Sequence, residues 1–220
     1  MRIIRLIGTT ILAGAFTGQA HAVAVQVQVQ DSSGAALADA VVYATPESGA
    51  SPVKANSIVQ IEQIGRKFSP LVSVLQVGTQ VSFPNNDTVR HHIYSFSAPK
   101  KFELKLYSGV PSENIVFDKP GSVVLGCNIH DKMIAYIYVV ETPFFAKSDL
   151  NGKATIANLP KGKYQLKVWH YNLPANSPLA ESVLQVGAEN LSLTVKLASK
   201  ASANAAAGAA SSATVSEFIY

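Results

Sequence analysis

From Val23 to Gln30 apolar and polar side chains alternate, Val-Ala-Val-Gln-Val-Gln-Val-Gln. A period of two predicts a half-buried strand. Asp31-Ser32-Ser33-Gly34 marks a turn, and Ala40 to Ala44 a second short strand. Pro46 to Pro52 is rich in Gly, Ser and Pro and reads as a loop. Further strands are predicted over 58–61, 71–77, 80–83, 92–96, 102–106, 114–117, 122–125 and 134–140. Turns at Val77-Gly78-Thr79, Pro84-Asn85-Asn86-Asp87 and Lys119-Pro120-Gly121 separate them. Thr142-Pro143 breaks the last of these strands. Four more strands, over 154–159, 164–170, 181–186 and 191–197, then form a second small β unit. No window carries a helical apolar stripe. Many short strands with Gly and Pro turns predict an all-β sandwich protein.

The two ends have a different texture. Arg2 and Arg5 precede the apolar run Leu6 to Phe16, and Ala20-His21-Ala22 supplies a small-x-small cleavage pattern. Residues 1–22 therefore read as a secretory signal peptide, cleaved after Ala22, which predicts an exported, periplasmic protein. No later apolar run approaches the ~18 residues of a membrane span. Residues 199–220 form an Ala- and Ser-rich tail, predicted to be disordered, that ends in Phe218-Ile219-Tyr220.

Charge excludes one class of partner. The chain carries 18 basic and 14 acidic residues. Two of the basic ones, Arg2 and Arg5, belong to the leader, and no domain-wide basic stripe of a nucleic-acid binder remains. Lys100, Lys101 and Lys105 form one local cluster, read as a solvated strand edge before a docking patch for an acidic partner.

Scarce residues mark the chemistry. The chain has one cysteine, Cys127, and after the initiator one methionine, Met133. His130 lies midway between them. One cysteine allows no internal disulfide, so in an exported protein it is an inert buried thiol, an intermolecular disulfide partner or a metal ligand. Thiolate, imidazole and thioether at Cys-x2-His-x2-Met spacing are donor types of a blue-copper site. The missing donor is a second histidine, and His91-His92 lies upstream. Singly, a histidine here is more often a satisfied surface or core residue, and a methionine core filling. The joint spacing favours ligation.

Two segments resemble the cupredoxins, amicyanin most closely, with pseudoazurin and plastocyanin further off. One is Phe83-Pro84-Asn85-Asn86-Asp87 and the loop into His91. The other is Gly121 to Met133 followed by the strand Ile134 to Val140. The resemblance covers residues 56–141 and implies an eight-strand Greek-key sandwich holding one type 1 copper per chain. It implies His91, Cys127, His130 and Met133 as ligands. Where the family usually has Asn after its first ligand histidine, this chain has His92, which is the alternative to His91. The flanks, 23–48 as an N-terminal hairpin and 142–198, resemble a carboxypeptidase-regulatory, transthyretin-like β-sandwich. The cupredoxin unit would be inserted within that sandwich or packed beside it. The layout is similar to exported cupredoxins of the methylamine-utilisation type.

The expected function is single-electron transfer between periplasmic redox proteins, a cytochrome c or a dehydrogenase. The edge of His130, flanked by Ile129 and Ile134, is the expected electron port. Copper storage, sensing or delivery is the alternative, but those roles favour Met- or His-rich open sites. A structural or carbohydrate-binding sandwich, contacting sugar or protein weakly through the transthyretin-like unit, is a further reading. An enzyme is not expected. The His-x-His repeats of a trinuclear oxidase are absent, as are nucleophile-elbow, zincin and phosphate-loop motifs. His170 is expected to be structural, with a copper or partner role as its alternative.

Overall fold

The computed structural model describes residues 23–49, 58–174 and 177–199. The expected signal peptide lies outside the described residues, as does the tail from residue 200 onward. Ser199, the first residue assigned to that tail, is buried, and its carbonyl accepts a hydrogen bond from the Ser32 N–H.

The described residues form seventeen strands and no helix. In chain order they are β1 (Val23–Gln30), β2 (Val41–Pro46), β3 (Ile58–Gln60), β4 (Glu62–Ile64), β5 (Lys67–Ser69) and β6 (Val72–Gln76). Next come β7 (Thr79–Ser82), β8 (His91–Ser95), β9 (Phe102–Tyr107), β10 (Ile115–Phe117), β11 (Gly121–Cys127) and β12 (Ile134–Val140). The last are β13 (Phe145–Lys147), β14 (Lys153–Leu159), β15 (Gly162–Trp169), β16 (Ala180–Val186) and β17 (Leu191–Lys196).

Two bodies result. A five-stranded sheet, β6-β12-β11-β8-β9, and a three-stranded sheet, β10-β7-β3, enclose one core, and the β4–β5 hairpin lies alongside. This is the eight-stranded cupredoxin-like sandwich. Its core is built by alternation: Val123, Leu125 and Cys127 point inward from β11, and Ala135, Ile137 and Val139 from β12.

The flanks build the second body. The sheet β14-β1-β17 faces the sheet β13-β2-β15-β16 across a separate aliphatic core. The inward valines of β1, Val23, Val25, Val27 and Val29, are all buried in it, as the alternation requires. The cupredoxin-like body is therefore inserted between β2 and β13.

Residues 23–48 are not the expected hairpin. β1 and β2 belong to different sheets. After the Asp31–Gly34 turn the chain returns beside β1 for a single antiparallel bridge, Gln30 opposite Ala36. Leu37 N–H bonds Val29 O, then Leu37 and Ala40 enter the core as the backbone crosses to the opposite sheet. Burying those two side chains favours the crossing over a strand reversal.

The bodies meet through aromatic side chains. Outward-facing Tyr136 and Tyr138 of β12 stack on Tyr171 and Trp169, with ring centroids 4.7 and 4.6 Å apart. Val41, Val72 and Val74 pack around them.

Candidate metal centre

Strand phase places the thiol. Cys127 is the last inward position of β11, after Val123 and Leu125. β11 and β12 are antiparallel neighbours, with Gly126 opposite Ile134. The Cys127 N–H bonds the Met133 carbonyl at 3.2 Å, so the ladder continues one pair beyond the strands. Residues directly opposite in an antiparallel pair share a face. Met133 is thus buried in the core on the same side as Cys127. The loop between them is tied twice more. Met133 N–H donates to His130 O, and Asn128 N–H to His92 O.

The same phase separates the histidine doublet. On β8, Cys127 pairs with Ile93, so Ile93 faces the core. His91, two residues earlier, shares that face and is fully buried. His92 faces outward, and its Nε2 lies 2.7 Å from Glu103 Oε1.

Three donors converge. Cys127 Sγ lies 3.7 Å from His91 Nδ1 and 3.7 Å from His130 Nδ1. All three atoms lie within 4.8 Å of one another. This separation fits a shared ion. Metal–sulfur and metal–nitrogen bonds of about 2.3 and 2.0–2.1 Å, meeting at roughly 115–120°, span about 3.7 Å. His91 and Cys127 are buried, while His130 is half-exposed. Ile129 and Ile134, next in sequence to His130 and Met133 respectively, are 47% and 40% exposed, so apolar surface flanks the loop that carries the half-exposed ligand candidate.

Two supporting residues, Asn85 and Asp87, were read from sequence as turn formers within the segment leading into His91, with no role at the site. Asn85 is buried at the centre of its loop. Its Nδ2 donates to Val89 O and Tyr107 O, and its Oδ1 accepts from Asp87 N–H. It thereby fixes the path from Pro84 to His91. Asp87 Oδ2 lies 2.7 Å from His91 Nε2. Burial by itself would raise the Asp87 carboxyl. Hydrogen bonds from Arg66 N–H, the His91 ring and Gly65 N–H outweigh it and hold the group below its ordinary value. The local signal for Asp87 is its i−4 position relative to His91. The Gly65–Arg66 partners come from the hairpin and leave no local trace.

The remaining candidates lie apart from the cluster. His170 is buried in the second body, where its Nε2–H donates to Ala38 O and its Nδ1 accepts from Asn172 N–H. It is satisfied structurally. Lys100 pairs with Asp118 at 3.2 Å, while Lys101 and Lys105 are exposed.

No protein-family model and no curated protein matches this chain. Among solved structures it is similar to a copper-containing nitrite reductase from Thermus scotoductus SA-01, 28% identical over 44% of this chain, with a TM-score of 0.37. The match spans only 25% of that reductase's length. A purple cupredoxin from Nitrosopumilus maritimus is 25% identical over 37% of this chain and 98% of its own, with a TM-score of 0.33. A reduced amicyanin variant is 18% identical over 44% of this chain and 99% of its own, with a TM-score of 0.34. What makes residues 58–140 cupredoxin-like is their own construction: two facing sheets, with a His-Cys-His donor cluster at the β11–β12 connection and the adjoining end of β8.

Proposed function

We propose that this protein is a periplasmic type 1 copper protein that carries single electrons between redox partners. The observation that carries this reading is the convergence of His91 Nδ1, Cys127 Sγ and His130 Nδ1 within 4.8 Å. Two imidazoles and a thiolate, with a buried thioether on the same side, form the donor set of a blue-copper site. Copper held there would supply a one-electron Cu(I)/Cu(II) couple.

The chain's own residues suit a carrier. Cys127 and Met133 are locked opposite each other by the ladder bond, so the donors have little freedom to rearrange. A site that need not reorganise favours electron exchange over metal release. The half-exposed edge of His130, between Ile129 and Ile134, is the port on this reading, and a periplasmic cytochrome or dehydrogenase is the partner.

Adding Cu(II) to the purified protein should produce an intense thiolate-to-copper absorption band and reversible one-electron voltammetry. Cys127→Ser should abolish the band, because a hydroxyl does not replace the polarizable thiolate. A serine variant that stays intensely coloured overturns the ligand assignment. Rapid transfer of Cu(I) to an acceptor protein, with sluggish electron exchange, replaces the carrier with a delivery protein.

A further inference from the structure

We infer that Asp87, held by the β4–β5 turn, is the positioning residue that sets the tautomer of His91 and so presents its Nδ1 lone pair to the Cys127 side. This deepens the copper reading and rests on it for the role of Nδ1, while the tautomer itself is a property of the chain alone.

The turn comes first. Gly65 and Arg66 connect β4 to β5, with φ of +61° and +57°. Two consecutive left-handed residues make the tight hairpin turn whose twist matches its strands. Glycine adopts this conformation freely, whereas for arginine it is uncommon. The turn's two successive N–H groups both reach one carboxylate. Gly65 N–H donates to Asp87 Oδ1 at 2.6 Å, and Arg66 N–H to Asp87 Oδ2 at 2.9 Å. Asp87 is fixed from the other side by its own N–H, which donates to Asn85 Oδ1 at 3.0 Å.

The donor inventory then decides the proton. An ionised carboxylate only accepts hydrogen bonds. Asp87 Oδ2 lies 2.7 Å from His91 Nε2, so that nitrogen is the donor. In a neutral ring the proton on Nε2 leaves Nδ1 with its lone pair. Nδ1 is the atom that lies 3.7 Å from Cys127 Sγ. A carboxylate behind a ligand histidine fixes ring orientation and tautomer in this way. Here the carboxylate is fixed in turn by backbone from a hairpin distant in sequence. The hydrogen bond of Asp87 into the donor cluster is to His91, and its effect passes through that ring.

Asparagine tests this, because it is nearly the same shape but carries a donor. Turned one way, its NH2 opposes the Gly65 N–H. Turned the other, it donates toward His91 Nε2 and drives the ring proton to Nδ1. The experiment is long-range proton–nitrogen NMR of the metal-free full chain with labelled histidine, at a pH where the spectrum itself shows His91 carrying a single ring proton. Wild type should show His91 protonated on Nε2, and Asp87→Asn should move population to Nδ1–H. In copper-loaded protein the same substitution should weaken copper affinity by about 10–100-fold, read by competition with a chelator. Wild-type His91 protonated on Nδ1 overturns the inference, and this measurement needs no variant to fold. An unchanged tautomer in folded Asp87→Asn overturns it as well. If wild type binds no copper while the tautomer shifts as stated, the copper reading fails and the role of Asp87 stands.

Discussion

At the residue scale, the two adjacent histidines should behave oppositely. His91 is buried against Cys127, so His91→Gly should open the donor cluster and lose the blue colour, with added imidazole restoring it. His92→Gly removes only a partly exposed pair with Glu103, the kind of contact that contributes roughly 0–1 kcal/mol. Its spectrum should be that of wild type. The reverse pattern in copper titrations would make His92 the ligand. Met133 should act as a weak axial donor. Met133→Leu conserves most of its buried volume, so copper should stay bound while voltammetry reads a higher reduction potential. Complete loss of copper would give Met133 an equatorial place instead.

At the scale of elements, the end of β15 carries a pH response away from the donor cluster. Burial depresses the His170 pKa, with the hydrogen bond to Ala38 and the charge of Asp39 opposing it. Above the unfolded value of about 6.5 the ring is neutral in both states and contributes no pH dependence. As pH falls below that value the unfolded chain takes up the proton first, so folding stability declines until the lower folded pKa is passed. Urea midpoints measured from pH 7.5 downward should therefore fall through this range. His170→Gln should flatten the dependence. An equal slope in the variant would place the titrating group elsewhere.

Across the whole molecule, the aromatic seam should make two sandwiches unfold as one. Tyr138 stacks on Trp169, the chain's single tryptophan, so the seam carries its own fluorescent reporter. Truncating a large buried aromatic costs about 3–5 kcal/mol. Tyr138 is only partly buried, so Tyr138→Ala should fall toward or below the lower end of that range. The expected result is a red-shifted Trp169 emission and a single thermal transition resolving into two. One unchanged cooperative transition would show that the bodies are coupled through other contacts, such as the Lys147 Nζ hydrogen bond to Val72 O.

The sequence by itself determined whatever is local. The valines of β1 are legible because side-chain direction in a strand repeats every two residues, and β12 because Ile134 to Val140 is a short continuous apolar run bounded by turn signals. The Cys127–His130–Met133 spacing is legible because all three sit on one connection between neighbouring strands. The three-residue strands β4, β5 and β13 were not legible, since Glu-Gln-Ile, Lys-Phe-Ser and Phe-Ala-Lys lack the adjacent Ile-Val pair that marks the equally short β3 and β10. Tertiary structure alone decided the rest. Alternation put His91 and His92 on opposite faces, but only the pairing of Ile93 with Cys127 set which face is the core. The Gly65–Arg66 turn reaches Asp87 across more than twenty residues. Residues 23–46 join 145–196 through β1–β14, β1–β17 and β2–β15 pairing, across the inserted body. Each of these depends on which strands lie side by side, and that is settled by burying the faces of many strands together, leaving no mark in any one segment.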